Sequence, residues 1–148
     1  MAVVLRHFPK LSETFIAQEI RLLEECGLRI DVYATPRDAS EPVQPVARAV
    51  RAPIHRFPGR SEGAGPLVRA NLRALADQPL RYLRTWLQAV RENRKRRGRK
   101  RLRRFYEAGW LVGQRAGGGR PSHIHSHFLY EPSEIGRYAA AIAGVAHT

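Results

Sequence analysis

Ala2-Val3-Val4-Leu5 is a continuous apolar run rich in β-branched side chains, the pattern of a strand buried on both faces. Phe8-Pro9-Lys10-Leu11 interrupts it. Ser12 then stands where a helix takes its N-cap, and Glu13 suits the positive end of that helix. Ile16, Ile20 and Leu23 recur at helical spacing, flanked by Phe15, Leu22 and Cys26. Gly27 falls at the C′ position, with Leu28 placed to meet Leu23 in a Schellman closure. Arg29–Ala34 reads as a second strand. Strand, helix and strand within about 33 residues form a βαβ unit, which predicts a parallel sheet and a right-handed crossover.

Residues 35–66 are rich in Pro, Gly and Ala and carry little periodicity, so they read as an irregular segment. Within it Val50–Phe57 has strand character, which Pro53 confines to a sheet edge. Residues 67–116 turn helical. Leu80, Leu83, Leu87 and Val90 are spaced three, four and three apart, and Leu102, Phe105 and Tyr106 resume the stripe. Asp77 stands as a cap ahead of Pro79, and Gly98 marks a bend or break. Gly117-Gly118-Gly119-Arg120-Pro121 ends the stretch. His123–Phe128 reads as a strand, a helix follows from about Ser133 to Ala143, and Gly144 closes it. Val145-Ala146-His147-Thr148 opens a further strand with no helix after it, so the chain reads as cut short. The pattern predicts a single α/β domain over 1–148: a Rossmann-like parallel sheet with flanking helices and a long basic helical insert at 67–116.

At 148 residues, 43% apolar and 26% charged, the chain has globular proportions and enough length for one core. Its one cysteine, Cys26, excludes an internal disulfide framework and a cysteine-rich metal site. The four-residue apolar opening is too short for a signal-peptide core or a membrane span, so a cytoplasmic protein is expected.

Charge alters the picture more. The net charge is +13, and residues 91–104 hold ten of the 26 basic residues against one acid, Glu92, so this stretch alone carries +9. That is a stripe on an ordinary domain. Such a run can be a solvated helix face, an anionic-lipid contact worth about 1 kcal/mol per basic residue, or a phosphate-binding nucleic-acid surface. No aromatic side chain interleaves it before Phe105, which argues against base stacking, and no specific nucleic acid is expected. The membrane-facing candidates are Arg94, Lys95, Arg96, Arg97, Arg99, Lys100, Arg101, Arg103 and Arg104, with attachment at the inner face of the cell membrane.

No GxGxxG follows the first strand and no GK[ST] loop occurs, which excludes the usual dinucleotide and ATP loops. The glycine run at Gly117–Gly119 follows a helix rather than a strand. Position still singles out the first loop, because ligands of open parallel sheets bind outside the carboxyl ends of strands, near the switch point. His7, Lys10, Ser12, Glu13 and Thr14 occupy that edge, although Ser12 can simply cap and Lys10 simply be solvated. His123, His125 and His127 alternate and so share one face. Three imidazoles suit a transition metal, yet no cysteine, aspartate or further histidine stands near them. The expectation is a polar lining with no metal, His127 closest to the cleft. Glu131 can accept a hydrogen bond from a hydroxyl-rich ligand or serve as a first-turn helix acid.

Arg6-His7-Phe8-Pro9-Lys10-Leu11-Ser12-Glu13-Thr14-Phe15-Ile16 resembles the opening of bacterial GT-B fold glycosyltransferases similar to the colanic-acid and exopolysaccharide enzymes. His123-Ile124-His125-Ser126-His127-Phe128 resembles the HIHAHF strand of the same group, and the elements between fall in matching order. The resemblance covers essentially the whole chain. It implies the N-terminal, acceptor-side half of a two-domain enzyme that moves a sugar from a nucleotide-sugar donor to a saccharide or lipid-linked acceptor. It implies acceptor contacts at Lys10, Ser12, Glu13 and Thr14 and at the cleft edge near His125 and His127, to which Glu131 is added by its place just beyond the histidine strand. The nucleotide sugar would be a co-substrate, no other cofactor or metal is implied, and the donor-binding C-terminal domain is missing as partner. The group's catalytic histidine follows Val145 in a motif that His147 and Thr148 only begin, so no catalytic residue is assigned and the chain alone is expected to transfer no sugar. The alternative is a non-catalytic basic module for anionic membrane or RNA. A response-regulator-like domain would need an acidic cluster at its strand ends, and Asp31 stands mid-strand without companions.

Overall fold

The computed structural model describes residues 1–10, 12–36, 43–59, 63–95, 100–114, 119–128 and 130–148, with Lys100 through its backbone only. Among them β1 (Ala2–His7), β2 (Asp31–Thr35), β3 (Ile54–Arg56), β4 (His123–Ser126) and β5 (Ala146–His147) form one all-parallel sheet in the order β3-β2-β1-β4-β5. The central strand is the apolar run: Ala2, Val3, Val4 and Leu5 are each no more than 1% exposed, as a strand covered on both faces requires. Pro53 lies beside the edge strand β3, where its carbonyl still accepts from the Val32 amide and its missing N–H costs no ladder bond.

Two layers of helices cover the sheet. On one face α1 (Thr14–Glu25) buries Ile16, Ala17 and Ile20 against Val3, Leu5, Val32 and Ala34, with the short α2 (Pro45–Arg48) beside it. On the other, α3 (Gly65–Asp77), α4 (Pro79–Lys95), α5 (Lys100–Gln114) and α6 (Glu131–Ala143) gather around Val4, Tyr33 and Ile124. The fold is thus a Rossmann-like α/β sandwich. The Leu28 amide donates to the Leu23 carbonyl (3.1 Å) and that of Gly27, at φ +81°, to Glu24 (3.0 Å), which is the Schellman closure expected for α1. Gly144, also left-handed, closes α6.

Several local expectations give way. Ser12 sits in a turn, and Glu13 takes the N-cap position of α1 with no side-chain cap bond, because its carboxylate is held by Lys10 at 2.6 Å. Asp77 ends α3 instead of capping α4, while the Gln78 carbonyl accepts from the Tyr82 amide. The segment 35–66 is less irregular than its composition suggests, since it contains α2 and β3. α6 starts at Glu131, two residues before the expected Ser133, and β4 ends at Ser126. Among the described residues of 67–116 three helices occur, and α5 belongs to the core through Phe105, Ala108, Trp110, Leu111 and Val112. The break expected at Gly98 lies outside the described residues.

The leucine stripe of α4 is not its buried side. Its buried residues are Tyr82, Thr85 and Ala89, whereas Leu80, Leu83 and Leu87 are 70%, 48% and 46% exposed. The buried side is set by a polar anchor. The Tyr82 hydroxyl donates to Asn71 (2.9 Å), and Glu92 receives Arg137 and Tyr138 of α6.

Candidate functional site

A cleft of about 520 Å³ opens at the carboxyl ends of β1 and β4, the two strands between which the strand order reverses. Arg6 and His7 line it from the end of β1, Lys10 and Glu13 from the loop after it, Phe128 and Tyr130 from the turn after β4, and Glu131 and Pro132 from the start of α6. Arg104 enters from α5. The β1 loop reaches it because the turn after the strand folds back, the Glu13 amide donating to the Lys10 carbonyl at 3.2 Å. Phe128 holds a left-handed backbone, φ +74°, which costs a bulky residue about 1–3 kcal/mol and is the kind of strain that collects at ligand sites. Its backbone separates the histidine strand from the cleft-lining turn.

Cations outnumber acids here. Glu131 lies between two arginines, Arg6 Nε at 4.0 Å and Arg104 Nε at 3.8 Å. The latter nitrogen is buried and makes no hydrogen bond among the described residues. Arg104 also contacts Glu134, which pairs with Arg101 (3.0 Å), which pairs with Glu92 (3.2 Å). Burial pushes the Glu92 carboxyl upwards, but hydrogen bonds from Arg137, Gln88 and Tyr138 outweigh it and bring its pKa down to about 2. The cleft is therefore wired to an ion-pair network that staples α4, α5 and α6 together.

Of the expected acceptor residues, the cleft unites Lys10, Glu13 and Glu131. Ser12 and Thr14 are not among its lining. His125 and His127 face the α1 side instead, where Glu19 lies 3.7 Å from His125 Nε2 and 3.4 Å from His127 Nε2. Burial lowers the His127 pKa against the upward pull of Glu19. Thr148 Oγ1 bridges His123 Nε2 and His125 Nδ1, each at 2.9 Å. On the opposite face His147 Nε2 meets Ser126 Oγ at 3.0 Å across the Cα of Gly136, and burial, with Arg137 and the other histidines nearby, lowers its pKa.

The basic stretch divides. Arg94 and Lys95 are exposed at the end of α4. Arg101 and Arg104 turn inward to Glu92, Glu134 and Glu131, and Arg103 pairs with Glu107 at 2.8 Å. A membrane-facing role for Arg101 and Arg104 is thus corrected to an internal one, because α5 lies between α3 and α6 and their carboxylates neutralise it. Arg96, Arg97, Arg99 and the Lys100 side chain lie outside the described residues. Sequence reasoning missed Arg6, Arg104, Phe128 and Tyr130 as lining. Arg6 was findable from its place at the end of the first strand, whereas nothing local ties Arg104 to that loop. No helix among the described residues is long and apolar enough to cross a membrane. Comparison with family models, curated proteins and solved structures found no match.

Proposed function

We propose that this chain is the acceptor-binding portion of a glycosyltransferase, which takes a sugar from a nucleotide-sugar donor onto a saccharide or lipid-linked acceptor. The cleft at the carboxyl ends of β1 and β4 carries this reading. Arg6, Lys10 and Arg104 offer charge-assisted hydrogen bonds to a phosphate-bearing acceptor. Glu13 and Glu131 accept from sugar hydroxyls. Phe128 and Tyr130, 47% and 84% exposed, offer ring faces to the apolar side of a saccharide or to a prenyl chain. Positioning the acceptor and excluding water are this half's contributions to the transition state. Holding the donor falls to a second domain.

Isothermal titration with farnesyl-diphosphate-linked N-acetylglucosamine, with farnesyl diphosphate alongside, tests it. Saturable binding is expected, weakened about tenfold, or ~1.4 kcal/mol, by Lys10→Met and by Arg104→Met. UDP-glucose should yield no nucleoside diphosphate with the chain alone. Binding that both variants leave unchanged overturns the assignment.

A second reading, attachment to an anionic membrane, is favoured by one observation: the outward ridge of α4 carries Leu80, Leu83 and Leu87 together with the exposed Arg84, Arg91 and Arg94. A lipid-linked acceptor makes the two readings compatible.

A further inference from the structure

We propose that Glu19, His125 and His127 form a binding site for a divalent first-row transition metal of the zinc type, separate from the cleft. One carboxylate and two imidazoles bring their ligand atoms within 4.8 Å of one another. His125 Nε2 lies 3.7 Å from Oε1 of Glu19 and His127 Nε2 3.4 Å from its Oε2, each near the separation of about 3.3 Å between neighbouring ligands in a tetrahedral zinc site with 2.0–2.1 Å bonds. Three protein ligands of this kind leave a fourth position open for water or a substrate oxygen.

The surroundings hold the donors in place. His125 lies on β4, paired in register with Val3 of the central strand. Glu19 sits on α1 between Ala17 and Ile20, both buried against the sheet, so its backbone is fixed. His125 Nε2 is buried without a hydrogen-bond partner and points towards Glu19. An unsatisfied buried ring nitrogen is costly unless something binds it. Its other nitrogen, Nδ1, meets Thr148 Oγ1 at 2.9 Å. With Nδ1–H donating to Thr148 and the threonine hydroxyl donating on to His123 Nε2, the lone pair of His125 is left on Nε2. This is the outer-shell arrangement that orients ligating histidines. The rings of His125 and His127 stand nearly perpendicular, at 86° with centroids 4.6 Å apart, so both can aim an edge nitrogen at one point. The sequence hides this site because Glu19 lies more than a hundred residues from the histidines and only the packing of α1 on the sheet adds the acid.

The competing account is a metal-free ion pair, Glu19 shared between two partly protonated imidazoles. Calorimetric titration of the chelator-stripped full chain with Zn2+, and visible absorption with Co2+, separate the two. The proposal expects one equivalent of Zn2+ and the strong d–d bands of a four- or five-coordinate Co2+ ion. Glu19→Gln and His127→Ala should each weaken binding 10- to 100-fold or more, Thr148→Val by less, and His55→Ala not at all. Glu19→Gln alters a half-exposed side chain, so it keeps the test valid should a histidine variant fold poorly. Zn2+ affinity unchanged in Glu19→Gln, or Co2+ spectra of a purely aqueous octahedral ion, would overturn the site.

Discussion

Glu92 is the one acid inside the stretch 91–104, and its carboxylate accepts from Arg137 (2.7 and 3.2 Å), Tyr138 (2.8 Å), Gln88 (2.8 Å) and Arg101 (3.2 Å). The folded state holds its pKa at about 2, against an ordinary value of 4.5. A depressed carboxylate stabilises the fold fully above its unfolded pKa, and that contribution fades as pH falls through this window towards the folded value. Glu92→Gln is therefore expected to cost about 2 kcal/mol at neutral pH and markedly less at about pH 3, because the wild type has by then lost part of the same term. Urea unfolding at the two pH values checks this, and an equal loss at both would show that the contact is not ionic. From sequence, Glu92 looks like a minor offset to a basic run. Its importance follows from the approach of α6, which no local pattern announces.

At the scale of elements, α3 and α5 touch where side chains are missing. A Cβ on Gly113 would lie 2.0 Å from the Ala70 carbonyl oxygen, and one on Gly109 would lie 1.9 Å from Asn71 Oδ1. In an isolated helix, glycine to alanine stabilises by up to about 1 kcal/mol. Here Gly113→Ala has to push backbone aside, so we expect a net loss of about 1–3 kcal/mol, and thermal unfolding that moved upward instead would refute the close contact. The elements themselves were mostly legible: the apolar run gave β1, the spacing of Ile16, Ile20 and Leu23 gave α1, and Gly27 and Gly144 marked helix ends. Facing was not. Leucine periodicity in α4 correctly indicates a helix, yet Tyr82, Thr85 and Ala89 form the buried side because Asn71 and α6 bind polar groups there. Periodicity reports that a helix has two sides, and long-range partners decide which one is covered.

For the whole molecule, this facing leaves Leu80, Leu83 and Leu87 beside Arg84, Arg91 and Arg94 on the outer surface. Such a ridge suits an interfacial helix on anionic lipid. Leu83→Glu with Leu87→Glu should reduce cosedimentation with phosphatidylglycerol vesicles at least tenfold while shifting stability by only about 0.5 kcal/mol. Equal binding to phosphatidylcholine vesicles, or no loss in the double variant, would count against it. The cleft's position was legible because parallel topology alone puts it beyond β1 and β4. Its contents were half legible, since Lys10, Glu13 and Glu131 adjoin those strand ends while Arg104 arrives from a helix distant in sequence. That arrival has a thermodynamic corollary. Arg104 already serves Glu134, so an anion entering the cleft competes with the fold for the same guanidinium. Occupancy and the rigidity of the α5–α6 contact are then reciprocally linked, each weakening the other by the same free energy. For the phosphate-bearing acceptor proposed above, a firmer scaffold at this junction would come at the expense of affinity, so that proposal carries with it a moderate grip set by how the helices are joined.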